Sequence, residues 1–464
     1  MRQGPVSASF FNLFFFCFIA LLFLSLGVDT PAHVQFRMGY GGLLLVGAAL
    51  LFPKDLKSGL LQSPAALCFF LFVGFELVRL LWTGWEMALG GLRDTPALPL
   101  NRYLSSPWGW IISFAFLILS LSRFKDRSEA GKLLWVLAGC GFVLALNAIP
   151  SLLMTGKAGY LRPDGRMGFF YPLFYFHPLA ERYLLGTFAY PNHTGDLVAV
   201  GFYAGLALLL YFLQGLKEKK GRRGEGLFES VPAGPLGLIF AMVALAAAAV
   251  VLFFSRGAIL CFIFSLVLYL SIFLFRSASR TGKLLALAAF ILIVGFTTWL
   301  VDLGDVWKEI QTLRHETAAG AATSFSTNRE AAKRALAIHR LSPLWGVGTE
   351  GYESVSRFFA TPGTENMTTA EYRAMSHYLT LLAEEGAGAY FYFFFLLAYF
   401  FEVFRGMLKV KSRFRMTAAL SLSVAVLMIL AHASITNLMQ QFSVSMLVYI
   451  LMGASLGVLR EQGT

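Results

Sequence analysis

The sequence predicts an all-α, polytopic membrane protein with about twelve transmembrane helices and one helical loop subdomain outside the bilayer. Of its 464 residues, 57% are hydrophobic and only 14% are charged, a balance that is not typical of soluble globular chains. Apolar runs close to the roughly 20 residues that a helix needs to cross a bilayer recur along the whole chain. These features exclude an ordinary soluble protein.

Each long apolar run predicts one span. The first run follows a single arginine and has no small-residue cleavage site, so we interpret it as a transmembrane helix rather than a removed signal peptide. The second run is short and rich in glycine. We expect the cores of the spans at residues 10–27, 38–52, 64–83, 106–122, 133–154, 194–214, 234–254, 257–275, 284–301, 387–404, 416–434 and 437–457.

The basic residues predict the orientation of these spans. Lys and Arg cluster in the loops between alternate apolar runs, which is the positive-inside pattern of membrane proteins. This pattern accounts for the net charge of +12 without nucleic acid, and it places both termini on the cytoplasmic side. Three longer segments then lie on the other side, at residues 84–105, 155–193 and 302–377.

The last of these segments divides the chain into three parts. Residues 1–301 form a first membrane part with about nine spans, residues 302–377 form the loop subdomain, and residues 378–464 form a second membrane part with about three spans. The loop subdomain is rich in cationic side chains, among them Arg329.

One helix is expected within this loop. Residues 328–341 have the pattern of an amphipathic helix in which Arg329, Lys333 and then Arg340 recur near helical spacing on the polar side. We expect Ser326 or Thr327 to cap the helix and Pro343 to follow its end.

Polar residues at the outer ends of the spans are the candidates for chemistry. The sequence PNHTG, which includes Asn192 and His193, directly precedes the sixth span. It indicates either an anion site at a helix N-terminus or a simple helix entry capped by Asn192 or Thr194. Arg256 lies between two nearly continuous apolar runs, where a charge either binds a partner or reaches towards the membrane surface. His377 ends the outer loop and is a candidate base, although a lone histidine is also typical of a hydrogen-bonded structural position.

Other polar residues within the spans are assigned structural roles. Glu76 and Arg79 are three residues apart on one predicted helix, so we expect them to form an ion pair. His432, in the eleventh span, is interpreted as a structural histidine. The chain has no HExxH, DxD, GxSxG or Walker sequence and no CxxC pair among its four cysteines. We therefore expect neither a metal site nor a cofactor.

Four local patterns occur in order around the long loop. They are RYLLGTFAYPNHTGDL (182–197), SRGA (255–258), RLSPLWGVGTEGY (340–352) and SHYLTLLAEEGAGAYF (376–391). Together they resemble the O-antigen ligase and polymerase family of bacterial envelope glycosyltransferases. The resemblance extends over about half of the chain, from the first pattern to the tenth span.

The resemblance implies a metal-independent transferase whose donor is a glycan linked to polyprenyl (undecaprenyl) diphosphate. His377 would be the catalytic residue that activates an acceptor hydroxyl group. Arg256 would bind the diphosphate, to which an arginine can make bidentate contacts. Further candidates for binding the diphosphate and glycan are Arg182, Arg329, Asn192 and His193.

The expected function is therefore glycan transfer at the periplasmic face of the bacterial inner membrane. An O-antigen ligase would use lipid A–core oligosaccharide as acceptor in lipopolysaccharide biosynthesis. A polymerase would extend another lipid-linked repeat, and a third type would glycosylate protein hydroxyls. The family usually has a small amide or hydroxyl residue after the histidine, whereas Tyr378 follows His377 here, which weakens the choice of ligase over polymerase.

A twelve-helix secondary transporter is the alternative from another class of protein. Such a transporter would place its binding charges near the bilayer midplane, whereas the candidate charges here lie outside or at the outer boundary. For the transferase, the expected partners are the lipid-linked donor, a glycan acceptor and membrane lipid, with no nucleic acid.

Overall fold

The computed structural model of the protein is helical through most of its length. It describes residues 5–24, 31–51, 63–88, 100–155, 160–161, 167–168, 191–223, 233–253, 256–276, 283–284, 287–288, 290–292, 295, 324–348, 351–359, 376–436, 439 and 442–460. A short antiparallel β pair, Tyr160–Leu161 with Met167–Gly168, is an exception to the all-α prediction.

The helices follow one another with short connections in several places. The first group is α1 (Pro5–Leu24), α2 (Pro31–Leu51), α3 (Pro64–Ala88), α4 (Leu100–Arg123) and α5 (Arg127–Thr155). The second group is α6 (Pro191–Arg223), α7 (Ala233–Phe253) and α8 (Arg256–Arg276). The last group is α9 (Ser324–Leu341), α10 (Gly351–Ser356), α11 (His377–Glu385), α12 (Gly388–Lys409), α13 (Arg413–Ala433) and α14 (Phe442–Leu459).

Seven helices in the described part of the chain are long and apolar enough to cross a membrane. Their candidate spans are Pro64–Leu81, Arg127–Leu146, Thr194–Leu213, Gly234–Val251, Ile259–Arg276, Gly388–Lys409 and Arg413–Ala433. Shorter apolar segments lie at Phe10–Leu22, Gly39–Ala48, Gly109–Arg123 and Val444–Leu459. The helical membrane fold is thus confirmed, whereas the count of about twelve spans stays a prediction because the ninth, 284–301, is described at only a few positions.

The spans pack into one continuous apolar core. Helix α13 is central, since it contacts α6, α8, α12 and α14, and nearly all of its residues are buried. Helices α5 and α6 approach each other closely at Gly141 and Gly201, where a Cβ atom on Gly141 would lie 2.6 Å from the Cα atom of Gly201. Small residues at such crossings let the backbones of membrane helices come together.

A second, small core lies among α9, α10 and α11. It consists of Ala335, Ile338, Tyr352 and Ala383, and these helices fall outside the candidate spans. The expected helix in the loop is confirmed and ends at Leu341, but it begins at Ser324. Ser326 and Thr327 therefore lie within its first turn and do not precede it, which corrects the predicted cap. The first amide groups of a helix have no partners within the helix, so several positions there suit a serine or threonine.

Candidate active site

His377 is the first residue of α11, and two hydrogen bonds hold the start of this helix. The preceding residue, Ser376, caps the helix by accepting a hydrogen bond from the amide of Leu379. The amide of His377 itself donates to the carbonyl oxygen of Thr436, 3.3 Å away, in the turn that follows α13. The start of α11 is therefore anchored to the end of α13.

The imidazole of His377 is buried among aromatic side chains. The residue is 5% exposed and its ring contacts those of Tyr378 and Tyr392, with centroids 5.6 and 6.0 Å away. Its Nε2 atom has no hydrogen-bond partner among the described residues. Burial lowers the pKa of His377 to about 4, since removal from water disfavours the charged form. The side chain is thus a neutral imidazole at physiological pH.

The third and fourth sequence patterns lie directly against each other. The amides of Val347 and Gly348 donate to the carbonyl oxygens of Ala383 and Glu384, each at 3.0 Å. This docking needs glycine, because Gly346 has a φ of +67° and a Cβ atom there would lie 2.1 Å from the Glu384 oxygen. The loop after α9 therefore supports the helix that begins with His377.

The C-terminal end of α11 is held by a buried ion cluster. Arg79 and Glu76 form the predicted ion pair in α3, with Nη2 and Oε2 2.6 Å apart. The same Nη2 atom lies 2.5 Å from Oε2 of Glu385, and Nη1 donates to the carbonyl oxygen of Glu384 at 3.2 Å. A cation at a helix C-terminus also interacts favourably with the helix dipole. The pair expected within one helix is thus also a link between α3 and α11.

The cationic residues of α9 differ in their exposure. Arg334 is 3% exposed and lies near Tyr352, whose hydroxyl group donates to the Ala331 carbonyl oxygen at 2.9 Å. Burial raises the pKa of Tyr352 to about 12, an effect that Arg334 opposes. By contrast, Lys333 is exposed and binds Glu330 at 2.6 Å. Lys333 and Arg340 are thus exposed, in agreement with the predicted polar side of the helix, whereas Arg334 is buried.

A second buried pair, which the sequence patterns did not predict, joins α6 to α13. Asp196 and His432 are both 0% exposed, and the His432 Nδ1 atom lies 3.0 and 2.9 Å from the two carboxyl oxygens of Asp196. His432 thus has the hydrogen-bonded position that was expected for it. The signal that could have revealed the pair is an acidic residue and a histidine near the ends of two separate apolar spans, since ionisable groups in a span need partners.

Two further polar contacts, farther along the bundle, define how α6, α8 and α13 run relative to one another. The hydroxyl groups of Tyr203 in α6 and Ser265 in α8 are 2.5 Å apart. Ser421 in α13 donates to the hydroxyl group of Tyr269 in α8 at 3.1 Å. Together with the Asp196–His432 contact, these pairs make α6 and α8 parallel to each other and antiparallel to α13. The starts of α6 and α8 and the end of α13 consequently lie at the same end of the bundle.

This arrangement places the backbones of several predicted site residues. Arg256 is the first residue of α8, the helix that the Tyr203–Ser265 contact joins to α6. Asn192 and His193 lie in the first turn of α6, which begins at Pro191, so the predicted cap at Asn192 or Thr194 is wrong. Proline suits a first helical position because its missing N–H would have no partner there.

Two further predicted site residues, Arg329 and Arg182, differ in how much of them the structure describes. Arg329 lies near the start of α9, and Arg182 lies outside the described residues. The side chains of Arg329, Arg256, Asn192 and His193 are also outside the described part of the structure. Their predicted roles in substrate binding therefore stay predictions. Among the described residues, no group of three or more His, Cys, Asp or Glu side chains is placed to hold a metal ion.

The fold and the site define a class of protein: a helical membrane protein with a buried histidine at one end of its bundle, beneath a small helical core outside the spans. Residues 241–394 match the family model described as O-antigen ligase, and this match confirms the predicted resemblance to that family. The segment is about a third of the chain and contains Arg256, Arg329 and His377. No curated protein matches the chain.

The family match supports glycosyl transfer of the O-antigen ligase or polymerase type in lipopolysaccharide biosynthesis. It extends from α7 into α12 and so includes the loop after α9 and all of α11. The first sequence pattern, with Asn192 and His193, precedes the matched segment. Asp196 and His432 lie on either side of it in the sequence but next to each other in the fold.

Proposed function

We propose that the protein is a membrane glycosyltransferase that moves a glycan from polyprenyl diphosphate to an acceptor hydroxyl group on lipid A–core oligosaccharide. The observation that carries this proposal is the Nε2 atom of His377, which is buried without a hydrogen-bond partner among the described residues, within a segment of the O-antigen ligase family. Buried polar atoms normally have partners. An acceptor hydroxyl group would supply one here.

In the proposed reaction His377 is the general base. Its Nε2 atom accepts the proton of the acceptor hydroxyl group while the hydroxyl oxygen attacks the anomeric carbon of the glycan. The bond between that carbon and the diphosphate oxygen breaks, and polyprenyl diphosphate leaves with the electron pair. The new glycosidic bond joins glycan and acceptor, and the proton remains on the imidazole.

The burial of His377 has two consequences for this step. Its pKa of about 4 keeps the imidazole neutral and able to accept a proton, but also makes it a weak base. A bound diphosphate nearby would raise that pKa, because an anion stabilises the imidazolium ion. Binding of the donor would therefore make His377 a stronger base for the transfer step. Arg256, at the start of α8, is proposed to stabilise the leaving diphosphate.

The charge distribution supports a periplasmic active site. Helix α13 has Arg413 and Arg415 at its start and His432 at its end, next to the turn that holds His377. Arg276, at the end of α8, donates to the carbonyl oxygen of Met407 at 2.6 Å on the same basic side. Basic residues favour the cytoplasmic side of an inner membrane. We therefore propose that His377 and Arg256 face the periplasm.

A reconstituted transfer assay tests the proposal. Purified protein in liposomes is given a polyprenyl-diphosphate oligosaccharide and lipid A–core acceptor in the presence of EDTA. We expect transfer by the parent protein and its loss in His377→Ala and Arg256→Ala variants that remain folded. Transfer that requires an added divalent cation would contradict metal independence, and transfer by His377→Ala would contradict the role of the base.

Two variants serve as matched controls. His339→Gln replaces a histidine whose ring nitrogens contact the Leu382 carbonyl oxygen at 3.1 Å and the Tyr390 hydroxyl group at 3.2 Å. Arg340→Ala removes an exposed arginine of the same loop. We expect both to retain transfer, so that a loss in the test variants reflects their positions and not their residue types.

A polymerase is the second candidate, because Tyr378 stands where the ligases of this family usually have a small residue. In the same assay a polymerase would lengthen the glycan on its lipid carrier and transfer none to lipid A–core. Consumption of neither substrate would contradict both functions and favour a transporter.

A further inference from the structure

The Asp196–His432 pair is not required by any step of the proposed reaction. Both residues belong to candidate membrane spans, Asp196 near the start of Thr194–Leu213 and His432 near the end of Arg413–Ala433. Ionisable groups are costly in a bilayer and are seldom placed there without a function. Buried ion pairs often add little net stability relative to apolar residues of the same shape. Stability alone therefore does not explain the pair.

The contacts of His432 continue directly to the candidate base. Its carbonyl oxygen accepts hydrogen bonds from the Ile435 amide and from the Thr436 hydroxyl group, both at 3.0 Å. The carbonyl oxygen of Thr436 in turn accepts the hydrogen bond from the amide of His377 at 3.3 Å. The pair thus fixes the last turn of α13 against α6, and the residue that holds His377 lies four positions farther along the chain.

We propose that Asp196 and His432 are positioning residues for His377. Their contact holds the end of α13, and with it Thr436, in the place that orients α11 and its first residue. This inference rests on the proposed function, since it assigns the pair to the same active site. A displacement of about 1 Å in a catalytic group can lower a rate by roughly 100-fold.

The test compares variants that remove the pair singly and together. We expect Asp196→Ala and His432→Ala each to lower kcat by about 10- to 100-fold, with KM nearly unchanged. The double variant Asp196→Ala/His432→Ala should lose no more than either single variant, because both residues act through one contact. It also leaves no unpaired buried charge, so it tests the proposal even if a single variant fails to fold. Asp196→Asn keeps an acceptor for the imidazole and should recover most of the activity.

A matched control comes from the same helix. Tyr203→Phe removes the buried contact between α6 and Ser265, which does not lead to His377, and should leave kcat unchanged. A folded double variant with the activity of the parent would overturn the proposal. So would a rise in KM at constant kcat, since that result would assign the pair to substrate binding.

Hydrogen exchange measured by mass spectrometry gives a readout that does not depend on transfer. The amides at the start of α11 should exchange faster in the double variant than in the parent and in Tyr203→Phe. Unchanged exchange there would contradict the proposed link. Failure of the proposed function would look different, because the parent protein itself would then transfer no glycan, whatever the exchange experiment showed.

Discussion

The hydroxyl group of Tyr378 donates a hydrogen bond to the carbonyl oxygen of Leu430 across 2.8 Å. The contact joins the second residue of α11 to the last turns of α13, beside the bond between the His377 amide and Thr436. Tyr378 is the residue that departs from the usual ligase pattern, and the departure has a structural role here. A small side chain at this position could not reach α13.

Replacing this tyrosine by phenylalanine tests that role. We expect Tyr378→Phe to lower the free energy of unfolding by about 1 kcal/mol through the lost hydrogen bond, and to lower kcat several-fold because α11 is held less firmly. Thermal unfolding in detergent and the transfer assay measure the two effects. Tyr399→Phe is the control, since it breaks a fully buried contact with Ser455, away from α11, and should spare kcat. Equal kcat values for the two variants would contradict the prediction.

The pKa of His377 predicts a pH dependence of stability. The unfolded chain binds a proton at this histidine below about pH 6.5, whereas the folded protein does so only near pH 4. Stability should therefore decrease as the pH falls from 6.5 towards 4, by about 3 kcal/mol in total from this group. In His377→Gln the melting temperature should change less over the same range. Parallel pH curves for the two proteins would be evidence against a buried, neutral His377.

The ion cluster of α3 predicts a strong effect of removing its cation. Arg79→Met leaves the carboxyl groups of Glu76 and Glu385 buried without a guanidinium group, which should cost about 3–5 kcal/mol. Adding Glu76→Gln and Glu385→Gln should restore part of the stability. Arg340→Met, at an exposed position, should change it by less than about 0.5 kcal/mol. The measurement is thermal unfolding, and similar melting temperatures for the two single arginine variants would rule out this role.

The loop after α9 contains two glycines that make a matched pair. Gly346 and Gly348 both have positive φ, +67° and +85°, but only the first has close neighbours that a Cβ atom would meet. Gly348→Ala should cost about 1–2 kcal/mol through backbone strain alone. Gly346→Ala should cost more, because the loop must move away from α11. Thermal unfolding measures the stability loss of each variant. Equal losses in Gly346→Ala and Gly348→Ala would mean that the close contact of Gly346 with Glu384 is unimportant.

Some features of the protein were evident from residue patterns. The helical membrane class followed from apolar runs, whose lengths are set by the thickness of a bilayer. The Glu76–Arg79 pair followed from helical spacing, because residues three positions apart lie on one face. The family followed from four ordered patterns, although the contact between Val347 and Ala383 that joins two of them is visible only in the fold.

Other features depended on residues that are far apart in the chain. Two helices begin earlier than predicted, at Ser324 and at Pro191, because several positions near a helix start can satisfy the same unpaired amides. The burial of His377 depends on Tyr392 in the next helix as well as on the neighbouring Tyr378, and no pattern around the histidine predicts the contact with Tyr392.

The sequence by itself determined that the chain is a helical membrane protein, where its apolar helices lie and which family its central segment resembles. These properties depend on local composition and short patterns. Only the tertiary structure decided that Asp196 meets His432, that Arg79 also binds Glu385 and that the Thr436 carbonyl oxygen holds His377. Each of these contacts joins separate helices. Whether such a contact forms depends on which helices pack together and on how they are positioned along the bundle axis. No pattern within one helix specifies that position.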